Sequence, residues 1–285
     1  MDKFIKTNYH THTTWCDGKN TVEQMAKAAF DSGFSVFGFS GHSMYPFSSK
    51  WHMQSALHTD YCRHVRLTAG EYKGKMEVLL GFEADYISGI CCPKFSMYEQ
   101  FKPDFLIGSV HYIPGKDTIF NVDGNGAATR ENIQKNYGGN AREAVCAYFA
   151  MQKEMLKKGD FTFIGHCDLF RIQNSPKFGN PLFSEQDSWY RSEIKAFADA
   201  IASSGVCVEI NTGAMSRGYM DSPYPSQEFL ELLHQRNVPV TINSDSHAQD
   251  TLDFAFDKAL DAAKKAGYTE LAYYSADSLK FQKIQ

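Results

Sequence analysis

His10 and His12 flank a single threonine in "HTHTTWCDG", and Asp17 follows five positions after the second imidazole. Neutral imidazole nitrogens and carboxylate oxygens are the ligands that zinc, iron and manganese accept. In an extended chain, residues i and i+2 point to the same side, so a strand ending here presents both rings to one space. A lone H-x-H arises by chance, and this one carries weight only if the rest of the chain supplies partners. The partners are "GHS" with His42, "GFEAD" with Glu83, "GSVH" with His111, "GHCD" with His166, and "SDSH" with Asp245 and His247. Each has an ordinary alternative when taken singly. A histidine after a strand is commonly a hydrogen-bonded core or loop residue, Glu83 a solvated strand end, and "SDSH" a helix cap. Taken together they are nine, more than one ion uses; two or three ions fit, with Glu83 bridging. The remaining histidines (His52, His58, His64, His234) lie in helical or loop text and read as structural or surface residues.

Convergence requires elements that place these residues on one rim. Short β-branched or aromatic runs fall at 4–10, 35–40, 76–84, 104–110, 161–165, 206–211 and 238–243. Amphipathic helical stretches lie between them or after the last, at 21–33, 141–159, 186–205, 226–237 and 250–267, closing on Gly or Asn. The Gly-rich stretch 121–132 reads as a loop. Strands alternating with helices imply parallel pairing with right-handed crossovers. The ligand-type residues stand just past the strands, which is the catalytic rim of an α/β barrel. The chain has 285 residues against the roughly 250 a barrel needs. The expectation is therefore one domain, 1–285, folded as a distorted TIM-like (β/α)7 barrel, with an open doubly wound sheet as the competitor.

Composition narrows the function. Lys and Arg number 29 against 33 Asp and Glu, a net charge of -4, which does not suggest a nucleic-acid grip. Seven cysteines without a C-x-x-C pair read as reduced thiols. The N-terminus lacks a signal-peptide pattern, and no run reaches the roughly 20 apolar residues of a membrane span. The expected protein is soluble and cytoplasmic. Cys16 and Cys167 lack electropositive activation and read as small buried fillers. There is no G-x-S-x-G or P-loop, and "DGNGA" follows no strand that would make it a dinucleotide fingerprint.

"HTHTTWCDG", "GHS", "GFEAD", "GSVH", "GHCD", "EINTG" and "SDSH", in that order, resemble the polymerase and histidinol phosphatase (PHP) family, and within it the stand-alone histidinol-phosphatase branch. The resemblance runs over nearly the whole chain, to "GYTELAYYSADS". It implies a trinuclear centre: His10, His12, Glu83 and Asp245 on one ion, Glu83, His111 and His166 on a second, and Asp17, His42 and His247 on the third. Some family members carry His at the position of Asp17. The implied reaction is hydrolysis of L-histidinol phosphate to L-histidinol and phosphate, the penultimate stage of histidine synthesis.

A phosphomonoester dianion repels hydroxide, so its hydrolysis needs charge cancellation and a ready nucleophile. Two ions roughly 3.5–4 Å apart share a water, lower its pKa towards about 7 and clamp the phosphoryl oxygens. Arg217 in "NTGAMSRGY" and Arg171 in "GHCDLFRI" are the candidate phosphate-binding guanidiniums. Asp245 and His247 are candidate proton donors to the leaving group, and Glu209 a candidate partner for a substrate ammonium. Aromatic-rich loops at 43–53, 112–130 and 212–225 are placed to shape specificity. The expected partner is a small phosphate monoester, without nucleic acid or membrane; oligomeric state is left open. Three rivals stay open at this level: a nucleotide-directed phosphoesterase, a phosphotyrosine-directed one, and a non-catalytic metal-binding module.

Overall fold

A computed structural model of the chain describes residues 4–43, 47 and 49–284. Each of the seven runs read as strands forms one, in six cases shorter than the run and in the third shifted one residue on: β1 Thr7–Asn8, β2 Val36–Phe39, β3 Glu77–Asp85, β4 Phe105–Ser109, β5 Phe163–Ile164, β6 Cys207–Asn211 and β7 Val240–Asn243. They pair in parallel in chain order from β1 to β7. No regular ladder joins β7 back to β1. The seam closes instead by a parallel bridge between Thr11 and Ser246, with His12 N–H donating to the Ser246 carbonyl at 2.8 Å and Ser246 N–H to that of His10 at 3.2 Å. Lower down, the Tyr9 N–H donates to Asn243 Oδ1 at 2.8 Å, a side chain standing in for backbone pairing. The result is a distorted seven-stranded barrel, and its irregular seam carries His10, His12, Asp245 and His247.

Helices α1 Val22–Asp31, α2 His58–Glu71, α3 Gly126–Tyr137, α4 Ala141–Lys158, α5 Ser188–Ser204, α6 Gly213–Ser216, α7 Gln227–His234 and α8 Phe256–Ala266 follow the strands. Their ends are chemically specified. Thr21 caps α1 and Gln24 returns the bond in a capping box, while Ser226 caps α7 and Gly205 ends α5 at a left-handed φ of 74°. In place of a helix, the crossover from β3 to β4 carries two single 3-10 turns, Phe95–Met97 and Glu99–Phe101, a second distortion.

Two readings need correction. The stretch 121–132 is not all loop, because Asn125 caps Ala127 N–H and starts α3 at Gly126. The loops at 112–130 and 212–225 also carry structure: an antiparallel hairpin (Tyr112–Pro114 with Ile119–Asn121) and α6. Of the 43–53 loop, Met44, Tyr45, Pro46 and Ser48 lie outside the described residues.

Period two divides each strand between inner and outer packing. Tyr9, Val36, Leu79, Phe105, Ile107, Phe163 and Cys207 form a cluster inside the barrel, while Phe37, Phe39, Val78, Leu80, Leu106 and Val208 belong to the core beneath the helices. A hairpin of Glu270–Ser275 and Ser278–Lys283 covers the N-terminal end. Its Ala272 enters the inner cluster, and Tyr9 Oη accepts from Tyr274 N–H at 2.7 Å. The apolar plug fills the bottom, so polar inward residues remain only towards the top.

Candidate metal centre

Going up β3 from Leu79 in the inner cluster, Glu83 and Asp85 share its parity and point inward at the rim. On β6, Glu209 and Asn211 do the same above Cys207. Glu83 is fully buried and stands among five imidazoles. Its Oε1 lies 2.9 Å from His166 Nε2 and 3.4 Å from His111 Nε2. Its Oε2 lies 2.8 Å from His42 Nδ1, 3.2 Å from His10 Nε2 and 3.5 Å from His12 Nε2. The two oxygens of one carboxylate therefore face two different sets of ring nitrogens, which is the geometry of a bridge.

Asp245 occupies the seam with a left-handed φ of 48°, uncommon for a side-chain-bearing residue and found where a site imposes it. Its Oδ1 faces His12 Nε2 at 3.4 Å and His10 Nε2 at 3.7 Å, and its Oδ2 accepts from Arg217 Nη2 at 3.1 Å. Asp17 is 3.3 Å from His247 Nε2 and 3.8 Å from both His42 Nε2 and His12 Nδ1. All nine ligand-type residues thus meet in one place. Ligand atoms approach within one coordination shell in four overlapping sets: His12, Asp17, His42, His247; His10, His12, Glu83; His10, His166, Asp245; and Glu83, His111, His166. His12 joins the Asp17 set as well as the Glu83 set, a sharing the sequence did not suggest.

These donors fit divalent cations. Among the described residues, His10 Nε2, His12 Nε2, His42 Nδ1, Asp17 Oδ1 and Glu83 Oε2 are buried without a hydrogen-bond partner in the protein. Buried polar atoms are otherwise almost always paired, and here the unpaired ones face each other. Burial, reinforced by His247 and His42, pulls His12 down to about 3, whereas the carboxylates around His10 and His42 outweigh burial and raise both. Burial opposes ionisation of Glu83 and Asp245, yet His42 and His10 around the first and Arg217 and His10 around the second hold both well below the carboxylate range. Arg217 and the surrounding imidazoles are what answer this concentration of negative charge.

The layer behind the ligands was partly missed. Asp85 accepts from His111 Nδ1 at 2.9 Å and from its backbone N–H at 3.0 Å, fixing the tautomer that turns Nε2 towards Glu83. Burial is outweighed by Asp85 and Glu83, which raise His111 to about 10. The signal was available: Asp85 is two residues after Glu83 in "GFEAD". Asp85→Asn is expected to weaken metal retention about 10- to 100-fold in a chelator titration followed by elemental analysis, with the fold preserved.

Two substrate assignments are corrected. Glu209 is fully buried one layer below the ligands. It is held by His10 Nδ1 at 2.9 Å, His166 N–H at 2.7 Å, Asn211 Nδ2 at 2.7 Å and Asn243 Nδ2 at 2.9 Å. Every oxygen is engaged, so it orients His10 and cannot meet a substrate ammonium. Arg171 does not line the cavity, because the 3-10 turns of Leu169–Asn174 carry it aside. Its Nε donates to Glu185 at 2.9 Å, Nη1 lies 3.4 Å from Asp168, and Nη1 also donates to the Pro223 carbonyl at 3.2 Å. Arg171→Ala strands two carboxylates and is expected to cost about 3–5 kcal/mol of stability in denaturant unfolding, while the substrate KM of the folded fraction stays close to wild type. Arg217, by contrast, lines the cavity. The four remaining histidines lie outside the cluster: His58 packs on Phe82 and Phe101, His64 contacts Glu23, His52 bonds Ser49, and His234 packs on Tyr268.

The cavity above the cluster is about 300 Å³; seven of the nine ligand-type residues line it, His10 and His12 lying beneath, together with Arg217, Trp51, Asn121, Asp123, Leu169, Ile172 and Tyr219. Barrel and rim together define a TIM-like barrel protein with a metal-binding mouth. The chain belongs to the PHP domain family, whose model matches residues 8–213. A relative from Deinococcus radiodurans named "Probable histidinol-phosphatase" is 27% identical over 90% of this chain and 92% of its own. The HisK crystal structure from Listeria monocytogenes superimposes with a TM-score of 0.78 at 20% identity, covering 88% of this chain and 99% of that one. Histidinol phosphate phosphatase from Lactococcus lactis, solved with zinc, L-histidinol and phosphate, gives a TM-score of 0.70 at 19% identity over 96% and 98% of the two chains. Among the described residues no helix is long and apolar enough to cross a membrane, and all seven cysteines are free.

Proposed function

We propose that the protein hydrolyses L-histidinol phosphate to L-histidinol and phosphate. The observation that carries this reading is the set of nine imidazoles and carboxylates converging around Glu83, in a PHP-family chain whose relatives bear histidinol-phosphatase names. His10, His12, Glu83 and Asp245 would hold one ion, Glu83, His111 and His166 a second, and Asp17, His42 and His247 a third, drawn from zinc, iron or manganese. Bound there, divalent ions supply charge cancellation for the phosphoryl group and an activated water as nucleophile.

The protein's own groups do the rest. Arg217 stands at the cavity wall to meet a phosphoryl oxygen, held by Asp245 Oδ2 and by its carbonyl at 3.2 Å. Asp245, held ionised beside Arg217, or His247 would take up the attacking water's proton and pass it to the leaving alkoxide, both lining the cavity. Glu209 and Asp85 keep His10 and His111 turned towards Glu83. Residues 1–285 work as one phosphoesterase domain in the cytosol, the part beyond the matched 8–213 bringing Asp245 and His247.

A phosphate-release panel tests the reading on metal-reconstituted protein with histidinol phosphate, nucleoside monophosphates, a phosphotyrosyl peptide and single-stranded DNA. The expected result is a preference for histidinol phosphate by several orders in kcat/KM. Equal or better turnover of a nucleotide or the peptide overturns the substrate, and bound metal with no turnover of any member reduces the protein to a metal-binding module.

A further inference from the structure

The cavity wall carries one carboxylate that the metal cluster does not use. Asp17, Glu83, Asp123 and Asp245 are its acidic lining residues, and only Asp123 stands outside every ligand set among the described residues. Asp123 Oδ1 is buried and accepts no hydrogen bond from the protein. Its backbone is pinned at the wall. The Val122 N–H donates to the His111 carbonyl at 2.8 Å, and buried Gln173 Nε2 donates to the carbonyls of Val122 at 2.7 Å and Gly124 at 3.3 Å.

The cavity is therefore bipolar. Arg217 is the only Arg or Lys on its described lining, and its guanidinium hydrogen bonds go to Asp245. Trp51, Leu169, Ile172 and Tyr219 add flat or apolar surface suited to an aromatic ring. A carboxylate oxygen shut off from water without a protein donor leaves an acceptor position open to a donor from the ligand. Histidinol phosphate brings one: its ammonium sits on the carbon next to that bearing the ester oxygen, so it stays at cavity depth when the phosphoryl group reaches the cluster.

We propose that Asp123 is the specificity residue of this site, accepting a charge-assisted hydrogen bond from the ammonium of the amino-alcohol phosphate; the assignment rests on the phosphatase reading above. It replaces the role first looked for in Glu209. An ammonium–carboxylate bond of this kind binds ground state and transition state alike, so its loss appears in KM.

The test compares two esters, L-histidinol phosphate and its deamino counterpart, an imidazolylpropyl phosphate. Wild type is expected to favour the first by about 10- to 100-fold in kcat/KM, the range of a charge-assisted hydrogen bond. Asp123→Asn brings that ratio to about one through KM, and Asp123→Glu restores part of it. An Asp123→Asn protein that keeps the wild-type ratio overturns the assignment. So does one that loses bound metal by elemental analysis, which would place Asp123 in the cluster. Wild type that hydrolyses both esters equally refutes the role of Asp123 while histidinol-phosphate hydrolysis stands; wild type that hydrolyses neither refutes the substrate reading itself.

Discussion

Glu83→Ala is expected to remove bound metal and catalysis together, with kcat/KM falling by about 10³-fold or more. Its two oxygens approach five of the imidazoles, His10, His12, His42, His111 and His166, between 2.8 and 3.5 Å. Without it, adjacent metal positions lose their shared ligand and the negative charge that offsets closely spaced cations. Elemental analysis and phosphate release on the same preparation check the prediction, with circular dichroism to show that the barrel persists. His58→Ala is the contrasting variant. His58 is buried against Phe82 and Phe101, so its loss lowers the melting temperature but leaves the metal content at the wild-type level. Near-normal turnover in Glu83→Ala would remove the bridge from the account.

Arg217→Ala is expected to lower kcat/KM by about 10²- to 10³-fold, as loss of a preorganised charge at a developing transition state does. The guanidinium is held in place by design of its surroundings. Asp245 takes Nη1 on its carbonyl and Nη2 on its carboxylate, and Gly213 leaves the space: a Cβ there would lie 2.7 Å from Asp245 Oδ2 and 3.0 Å from Arg217 Nη2. Because the fork geometry matters, Arg217→Lys is expected to recover only part of the activity. Steady-state kinetics beside elemental analysis separate this from metal loss: turnover falls while the ions remain. Unchanged kinetics in Arg217→Ala would move phosphate recognition elsewhere.

The rim was legible because its signal is local. Each ligand follows a short apolar run, and parallel pairing in chain order turns those separate ends into one circle. The errors arose where direction depends on geometry that spacing does not encode. Arg171 is five residues after His166, but the intervening 3-10 turns send it to Asp168 and Glu185. Glu209 shares the inward parity of a ligand but sits one layer too low, where its oxygens are consumed by His10 and three other donors. Asp85 and Asp123 went unread for opposite reasons. Asp85 had the inward parity of Glu83 and only needed its period followed. Asp123 lies in Gly-rich text whose path is set by the distant Gln173 and the carbonyl of His111. The hairpin of Glu270–Ser275 and Ser278–Lys283 escaped notice because it plugs the base of the barrel and carries no ligand.

Anomalous X-ray scattering at the metal edge, from crystals of protein purified with its metals, shows whether the rim holds ions. Two or three peaks are expected around Glu83, at about 2.0–2.2 Å from ring nitrogens and carboxylate oxygens of His10, His12, Asp17, His42, His111, His166, Asp245 and His247. Anomalous density confined to other parts of the molecule, or none in crystals of fully active protein, would contradict a metal centre at the rim.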